Sequence, residues 1–303
     1  MAAAAPEAKI LLTGSTGQVG GELLPRLSKF GEVVAPGRDA MDLANVASVR
    51  EVIRAVRPRW IVNPAAYTAV DKAESEPELA YAINRDAVRV MGEEARAIGA
   101  GVIHFSTDYV FDGAGDRPYV ETDATNPVSV YGASKLAGER ALAESGAGHL
   151  IFRTSWVYGA RGKNFLLTIL RLAREREVVR VVADQHGAPT WSRDLAVMTA
   201  HAMSQCEAIG DVADVLVQLG GVYHTTSSGE TTWHGFATEA VRLVREREPE
   251  VKLADLEAIT TAEYPTPARR PANSRMNTSK LASCFGWRMA DWRESLRKVV
   301  AEL

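Results

Sequence analysis

The feature that most constrains this chain is a glycine-rich turn placed between an apolar strand and a helical pattern. The turn is Gly14-x-x-Gly17-x-x-Gly20, and it directly follows the apolar run Ile10–Leu12. In this setting Gly14 allows a tight turn, Gly17 allows backbone to approach a phosphate, and Gly20 allows the helix to pack on the sheet. Glycines alone are weak evidence, because loops use them for many reasons. The flanking strand and helix favour a phosphate-binding turn over an ordinary connection.

The first half of the chain alternates short β-branched runs with longer helical patterns. Predicted strands cover Lys9–Thr13, Glu32–Ala35, Trp60–Asn63, Gly101–Ser106 and His149–Thr154. Each is followed by a segment long enough for a crossover helix, which is typical of a parallel sheet with helices on both faces. We therefore predict an α/β fold with a Rossmann-type doubly wound parallel sheet. Pro25 resists this pattern, since proline inside the first helix should kink it or keep it short.

The second half has a looser pattern that we interpret as a smaller α/β substrate-binding lobe. Predicted helices cover Asn164–Glu177, Asp194–Gln205, Thr232–Glu246 and Trp292–Leu303, and predicted strands cover Val178–Val182 and Gly221–His224. We assign residues 1–160 and about 191–232 to the dinucleotide-binding Rossmann domain. Residues of about 161–190 and 233–303 form the lobe that would bind the substrate.

Composition and charge narrow the class of protein. The formal net charge of −3 gives no reason to expect nucleic acid or an anionic membrane as a partner. Cys206 and Cys284 lie far apart in sequence and lack metal-site spacing, which is typical of a reduced compartment. No apolar run approaches membrane-spanning length, and Met1–Pro6 lacks the basic and apolar regions of a signal peptide. We expect a cytoplasmic protein.

Candidate contacts for the adenosine end of a dinucleotide lie beyond the glycine turn. Arg38 follows the second predicted strand, where a side chain meets the adenosine ribose, and an arginine there can pair with a 2′-phosphate. We therefore expect NADPH, with NADH possible, although Arg38 could be a plain surface charge. The other expected cofactor contacts, which could equally be ordinary strand-to-helix connections, are Asp42, Leu43, Ala65, Ala66 and Tyr67.

A set of proton-donating groups follows the fourth predicted strand. Tyr131 and Lys135 share one face if they lie on a helix. A free phenol has a pKa near ~10, and a neighbouring ammonium would lower that pKa towards neutrality. Thr107 ends the strand where a carbonyl would sit, and its hydroxyl could hold that oxygen, although it could instead satisfy a backbone group. Together these residues predict hydride transfer to or from a carbonyl.

Other polar residues near these motifs admit more than one interpretation. Asparagine is a poor helix former, so Asn84 could hold a water or a backbone group, or merely pack against another polar side chain. His104 lies in a predicted core strand and is interpreted as a satisfied buried residue. Ser106 and Asp108 flank Thr107 and would support it or touch substrate. The six histidines show no metal-ligand spacing, so we predict no metal site, and nothing indicates a Ser-His-Asp nucleophile.

The motifs together resemble the extended short-chain dehydrogenase/reductases, and among them the family of dTDP-4-dehydrorhamnose reductases. The resemblance runs from about Ile10 to near the C-terminus. It is carried by Thr13–Gly20, Ala65–Glu74, Ser106–Gly113, Arg153–Tyr158, Asp184–Thr190 and Arg270–Arg275. This resemblance implies NAD(P)H-dependent reduction of the C4 keto group of dTDP-4-dehydro-β-L-rhamnose to dTDP-L-rhamnose, a step in nucleotide-sugar and polysaccharide biosynthesis.

The resemblance also implies roles in catalysis and cofactor binding. Tyr131 would be the proton donor, Lys135 would be its partner and a ligand of the ribose, and Thr107 would tune the tyrosine. The expected contacts from the glycine turn to the cofactor are Gly14, Gly17, Gln18, Val19 and Gly20.

Contacts to the substrate are implied in the same way. Thr107, Asp108 and Trp156 would touch the sugar. Asn164 and Arg270 would hold the nucleotide diphosphate, because an arginine fork suits a pyrophosphate. Arg269 and Arg270 could instead be a solvated basic pair.

One departure from the family concerns metal and dimer formation. Some members use glutamates in a magnesium-linked dimer contact. Glu22 stands at one such position, but Arg193 stands where a second glutamate would be. Because a guanidinium there opposes a cation, we predict no metal dependence and no such dimer, and we expect a monomer or a weak homodimer.

Two other functions remain open from the sequence. Another nucleotide-sugar epimerase or dehydratase of the superfamily is the nearer one. Dehydratases of this group pair the catalytic threonine with an Asp-Glu set, whereas Thr107-Asp108 is followed here by Tyr109. The second is a non-catalytic regulatory subunit like that of methionine adenosyltransferase, which resembles the same family. The intact Thr107, Tyr131 and Lys135 favour an enzyme.

Overall fold

A computed structural model of the protein describes residues 8–303. The interpretation of Met1–Pro6 therefore lies outside the described residues. The strands are β1 (Lys9–Leu12), β2 (Glu32–Val34), β3 (Trp60–Asn63), β4 (Gly101–Thr107), β5 (His149–Thr154), β6 (Val157–Tyr158), β7 (Val178–Val182), β8 (His186–Gly187), β9 (Thr190–Trp191), β10 (Gly221–His224), β11 (Thr231–Thr232) and β12 (Asp255–Ile259).

The helices alternate with these strands. They are α1 (Gln18–Leu27), α2 (Val46–Val56), α3 (Val70–Ala73), α4 (Pro77–Tyr81), α5 (Ala87–Ile98), α6 (Val130–Glu144), α7 (Phe165–Glu175), α8 (Ser192–Ile209), α9 (Val212–Leu219), α10 (Trp233–Arg247), α11 (Ser279–Phe285) and α12 (Trp292–Glu302). A π-helical turn, Ala82–Asp86, joins α4 to α5.

Six strands form one parallel sheet in the order β10-β5-β4-β3-β1-β2. β3 and β4 are buried along their whole length, as expected when helices cover both faces of a parallel sheet. The chain order reverses between β1 and β3, so the carboxyl ends of these strands flank a crevice, the usual ligand site in such sheets. The predicted α/β fold with a doubly wound parallel sheet is confirmed.

The first helix resolves the question raised by Pro25. α1 runs through Pro25 and ends at Leu27, two residues later. Pro25 has no N–H to donate to the carbonyl of Gly21 one turn earlier, and the helix ends within one turn after it, so its regular part is short. The apolar face of α1 is retained, with Leu23 and Leu27 fully buried in the core of the main sheet.

A second hydrophobic core forms in the C-terminal part of the chain. β7 pairs with β12 in parallel, and helices α7, α10 and α12 pack around them. The fully buried Trp292 and Phe236 lie in this core, with ring centroids 6.0 Å apart. This core supplies the body of the smaller lobe expected from the sequence.

One segment of that lobe packs elsewhere. Leu281 and Phe285 of α11 belong to the core of the main sheet, where Phe285 meets Tyr223 of β10 edge to face at 5.2 Å. Residues 233–303 therefore contribute to both cores. Between residues 8 and 303, none of the helices is both long and apolar enough to cross a bilayer.

Candidate active site

The glycine turn closes tightly at the carboxyl end of β1. The N–H of Gly17 donates to the carbonyl of Gly14 at 2.9 Å, and Gly14 has a φ of +57°. A Cβ on Gly20 would lie 2.0 Å from the carbonyl oxygen of Gly14, so α1 packs on the turn only with glycine there. Gly17 caps α1 without a side-chain hydrogen bond, which leaves the first N–H groups of the helix available to an anion.

Two adjoining cavities open beside this turn. The larger has a volume of about 670 Å³ and the smaller about 270 Å³. Of the predicted cofactor contacts, the larger cavity is lined by Gly14, Gly17, Gln18, Val19, Gly20, Ala65, Ala66, Tyr131 and Lys135, and the smaller by Arg38, Asp42 and Leu43. Gly14, Ala65 and Ala66 line both, so the two cavities form one crevice along the switch point of the sheet.

Tyr67 is the predicted cofactor contact that lines neither cavity. Its hydroxyl donates to Glu76 at 2.7 Å. Its backbone N–H donates to Oδ1 of Asn84 at 2.9 Å, and its carbonyl accepts from Nδ2 of Asn84 at 3.1 Å. The π-helical turn thus presents Asn84 to the strand-to-helix connection, and Asn84 holds a backbone segment, one of the alternatives left open by the sequence. Asn84 also donates to Ser134 of α6 at 3.0 Å.

Tyr131 and Lys135 both lie on α6, where Lys135 is buried and Tyr131 is half-buried. Ser129 caps this helix by accepting from the N–H of Gly132 at 3.2 Å. The cap starts the helix one residue before Tyr131, so the phenol and the ammonium share a face against the larger cavity. The ring of Tyr131 meets Tyr109 edge to face at 5.5 Å.

The expected lowering of the tyrosine pKa by the lysine is wrong for this structure. Burial raises the pKa of the Tyr131 phenol above its ordinary value, and the hydroxyl of Thr107 only partly opposes this. The ammonium of Lys135 instead donates to the carbonyl of Phe105 at 2.6 Å and lies 3.2 Å from Nε2 of His104. Burial, and not the lysine, thus sets the direction in which the pKa of Tyr131 moves.

Burial also acts on Lys135 itself. It lowers the pKa of the ammonium to about 8, while the carboxylate of Glu139 acts in the opposite direction. His104 is fully buried, and its pKa is held well below the ordinary value by burial and by the charge of Lys135. His104 is therefore a neutral, satisfied residue, as the sequence suggested, but its contact with Lys135 is not visible in any sequence motif.

Thr107 and Asp108 form a buried polar pair at the end of β4. The hydroxyl of Thr107 donates to Oδ1 of Asp108 at 2.9 Å and accepts from the N–H of Tyr109 at 3.2 Å. Ser274 donates to the other carboxylate oxygen of Asp108. Burial raises the pKa of Asp108 to about 6, against the lowering effect of these two hydroxyls. Sequence reasoning missed Ser274, because nothing local links it to a residue 166 positions earlier.

Trp156 adopts a strained backbone and stacks on a second tryptophan. Its φ is +49°, an unusual value for a bulky residue, and its indole lies 3.7 Å from that of Trp233, nearly parallel to it. A Cβ on Gly187 would lie 2.8 Å from the ring of Trp156, so one edge of the indole packs directly against the backbone of Gly187. Trp233 was not predicted; its Nε1 donates to Gln185 at 3.1 Å.

Asn164 and Arg270 already have protein partners. Asn164 caps α7 by accepting from the N–H of Leu167 at 3.0 Å, and its Nδ2 donates to Gln18 at 3.0 Å. Arg270 pairs with Asp71 at 2.9 Å and lines a third cavity, of about 350 Å³, next to Trp233. Asn164 therefore links the lobe to the glycine turn, and Arg270 lies on the wall of a separate cavity.

The carboxylate of Glu22 is surrounded by guanidinium groups. It accepts from Arg193 at 3.0 Å and from Arg26 at 3.0 Å, and Arg161 lies 3.5 Å away. Arg193 also donates to Glu302 at 2.9 Å, near the end of α12. Among residues 8–303, no group of three His, Cys, Asp or Glu side chains is placed to hold a metal ion.

Comparison with known proteins places the chain in a family. The family model described as the RmlD substrate binding domain matches residues 8–303. A dTDP-4-dehydrorhamnose reductase of Escherichia coli (strain K12) is 49% identical over 298 residues, which cover 97% of this chain and 97% of that protein.

Solved structures agree with this match. A crystal structure of a dTDP-4-dehydrorhamnose reductase from Clostridium acetobutylicum has a TM-score of 0.88 and 34% identity, covering 97% of this chain and 99% of that chain. One from Bacillus anthracis, in complex with NADP, has a TM-score of 0.86 and 34% identity, covering 99% of this chain and 100% of that chain. The similarity thus extends over both cores of the molecule and is not limited to the glycine turn.

Proposed function

The chain belongs to the RmlD substrate binding domain family, and from this premise we propose that it is an NADPH-dependent dTDP-4-dehydrorhamnose reductase. It would reduce the C4 keto group of dTDP-4-dehydro-β-L-rhamnose to give dTDP-L-rhamnose. The observation that carries the proposal is the larger cavity, because one wall is the glycine turn and another holds Tyr131 and Lys135. A phosphate-binding turn and a proton donor thus face the same space.

The residues of the crevice fit a dinucleotide. A Cβ on Gly14 would lie 3.0 Å from the side chain of Ala65, so glycine and alanine keep the crevice open where the turn meets β3. The N-terminus of α1 would receive the pyrophosphate, and the smaller cavity would receive the adenosine. The guanidinium of Arg38 is largely exposed, and its pairing with the carboxylate of Asp42 at 3.8 Å is weak. Arg38 would therefore turn to a 2′-phosphate, which favours NADPH, with NADH possible.

The chemistry needs a hydride and a proton. The reduced nicotinamide supplies the hydride that adds to C4. Tyr131 donates its phenolic proton to the C4 oxygen as the π electrons of the carbonyl move to that oxygen. Lys135, the partner of Tyr131 in this assignment, would hold the ribose with its ammonium. Thr107 orients the oxygen towards Tyr131, and solvent returns the proton to the phenol.

The lobe would bind the rest of the substrate. Thr107 and Asp108 would contact the sugar with Trp156, whose indole is fixed by Trp233. Arg270 would give up part of its pairing with Asp71 to bind the diphosphate, because the same planar guanidinium can donate to either group. Asn164 would contact the diphosphate from the start of α7. In this assignment residues 1–160 and about 191–232 bind the cofactor, and about 161–190 and 233–303 bind the nucleotide sugar.

We also propose that the reaction needs no metal and that the protein works in the cytoplasm as a monomer or weak homodimer. The support is Glu22, whose carboxylate is engaged by Arg193 and Arg26. Two guanidinium groups within hydrogen-bond distance oppose a divalent cation. Dialysis against a chelator should leave the rate unchanged, and a loss that magnesium restores would contradict this part of the proposal.

The decisive experiment measures NADPH oxidation with enzymatically prepared dTDP-4-dehydro-β-L-rhamnose. The wild-type protein and Tyr131→Phe are compared at equal concentration. Rapid oxidation that the substitution abolishes supports both the reaction and the proton donor, provided that NADPH still binds to the variant. If neither NADPH nor NADH is oxidised although both bind, the proposed reaction is wrong.

A further inference from the structure

The ammonium of Lys135 is anchored from below by two acceptors. One is the carbonyl of Phe105, at 2.6 Å, and the other is Nε2 of His104, at 3.2 Å. An ammonium has three N–H groups, so two point into the protein and one remains for the cavity that Lys135 lines. Removing the His104 ring would leave the ammonium with the carbonyl of Phe105 as its one acceptor of this pair.

His104 is itself held by a row of buried side chains that crosses the sheet. Its Nδ1 lies 3.0 Å from Nδ2 of Asn63, and Oδ1 of Asn63 accepts from the hydroxyl of Thr13 at 2.6 Å. The N–H of Ala65 donates to the same hydroxyl at 3.3 Å. We call Thr13, Asn63, His104 and Lys135 the buried row; each of the four is at most 3% exposed. It joins strands β1, β3 and β4 to α6, and it ends under the glycine turn.

The chemistry of the row fixes the direction of its hydrogen bonds. An ammonium only donates, so Nε2 of His104 must accept and Nδ1 must carry the ring hydrogen. Nδ1–H then requires the Asn63 amide to be turned over from the orientation given above, so that its oxygen faces Nδ1; the two ends of the amide have nearly the same shape and are assigned by their partners.

Other charged groups near the row are already engaged. Glu139, one turn after Lys135 on α6, binds Arg153 of β5 through contacts of 2.6 and 2.9 Å. His149 of β5 is near enough to disfavour a charged His104, as is Lys135 itself. Tyr131 faces Lys135 from the same helix. Neutral His104 is therefore the side chain that accepts directly from the ammonium.

We propose that His104 is a positioning residue for the catalytic lysine, whose Nε2 accepts a hydrogen bond that orients the ammonium and favours its charged form. The inference rests on the proposed function, because it concerns the lysine of that same site. With its amide turned over, Asn63 accepts from Nδ1–H of the imidazole, and Thr13 links Asn63 to the turn that would hold the pyrophosphate.

The first test compares the pH dependence of kcat in the wild type, His104→Leu and His104→Gln. A hydrogen bond to a charged group has a strength that corresponds to about one to two pH units, so the alkaline limb should move down by that amount in His104→Leu. His104→Gln keeps an acceptor and should recover most of the shift. The matched control is His224→Gln, a fully buried histidine of β10 outside the buried row, which should leave the limb in place. An unmoved limb in His104→Leu would overturn the proposal.

The second test does not need turnover. The ¹⁵N chemical shifts of the His104 ring, assigned from the signal missing in His104→Gln, should show an unprotonated Nε2 and a protonated Nδ1 from pH 6 to 7. The Nε2 signal should move in Lys135→Met. A protonated Nε2, or no change in Lys135→Met, would overturn the proposal even if His104→Leu fails to fold. Absence of turnover in the wild type would instead refute the proposed reaction and leave this measurement to decide the role of His104.

Discussion

The folded protein should be strongly destabilised when only one partner of the buried pair Glu139–Arg153 is removed. Both side chains are about 4% exposed, and their contacts of 2.6 and 2.9 Å form a two-pronged bridge between α6 and β5. In Glu139→Leu the guanidinium of Arg153 stays buried without its carboxylate. We expect the free energy of unfolding to fall by about 3–5 kcal/mol, the usual cost of breaking a buried pair.

The double variant Glu139→Leu/Arg153→Met separates the cost of leaving one charge unpaired from the net contribution of the pair to stability. It removes both charges and fills the space with apolar groups, so it should be at least about 2 kcal/mol more stable than the single variant. Arg153 also packs over Phe111, 5.2 Å from the ring centroid, and a methionine keeps part of that contact. The double variant should therefore approach the wild type.

Urea unfolding followed by circular dichroism measures these differences, with the slope of each transition checked as well as its midpoint. The matched control is Glu239→Leu, which breaks a partly exposed pair with Arg242 on the lobe helix α10. That pair should contribute less than about 1 kcal/mol. The reasoning fails if Glu139→Leu costs no more than Glu239→Leu, or if the double variant is no more stable than Glu139→Leu.

Three further predictions concern the turn, a buried acid and the cofactor. Gly20→Ala should destabilise the protein by more than about 2 kcal/mol, because the new Cβ would lie 2.0 Å from the backbone oxygen of Gly14. In the control Gly21→Ala the nearest atom to the Cβ is at 3.4 Å, so the loss of stability should be small. Equal midpoints of the two variants in thermal unfolding would contradict this. Burial raises the pKa of Asp108 from 3.8 to about 6, so the folded state loses stability as pH rises through that window. The stability of Asp108→Asn relative to the wild type should therefore rise by about 3 kcal/mol between pH 4 and 7. A stability difference that stays constant with pH in urea titrations would refute this. Arg38→Ala should weaken NADPH binding by about tenfold and NADH binding much less, as measured by fluorescence titration, and equal losses would exclude a contact with the 2′-phosphate.

The sequence was most informative where structure depends on neighbours along the chain. The predicted Trp60–Asn63 and His149–Thr154 agree with the strands observed, and β4 extends only one residue beyond its prediction, to Thr107. Continuous apolar runs and glycine spacing are local signals, and they place Gly14 and Tyr131 on elements whose ends must meet in a doubly wound sheet.

The sequence was least informative where side chains choose among distant partners. The four-residue spacing predicts that Lys135 and Tyr131 share a face, but not that the ammonium turns down to His104. Ser274 reaches Asp108 from the far end of the chain, and α11 crosses back to the main core. Such pairings depend on how loops close in three dimensions, and no periodicity in the sequence encodes them.

The stacked indoles of Trp156 and Trp233 should give the protein a distinctive circular dichroism signal. Two indoles 3.7 Å apart and inclined by 15° are close enough for their strong far-ultraviolet transitions to couple, which contributes a couplet, a pair of circular dichroism bands of opposite signs. One ring follows β5 of the main sheet and the other begins α10 of the lobe, so the sign and size of the couplet report the relative placement of these two parts. If a sugar binds against Trp156 as proposed, it should alter this spectrum without any label, and its arrival could be timed in a stopped-flow instrument separately from the chemistry.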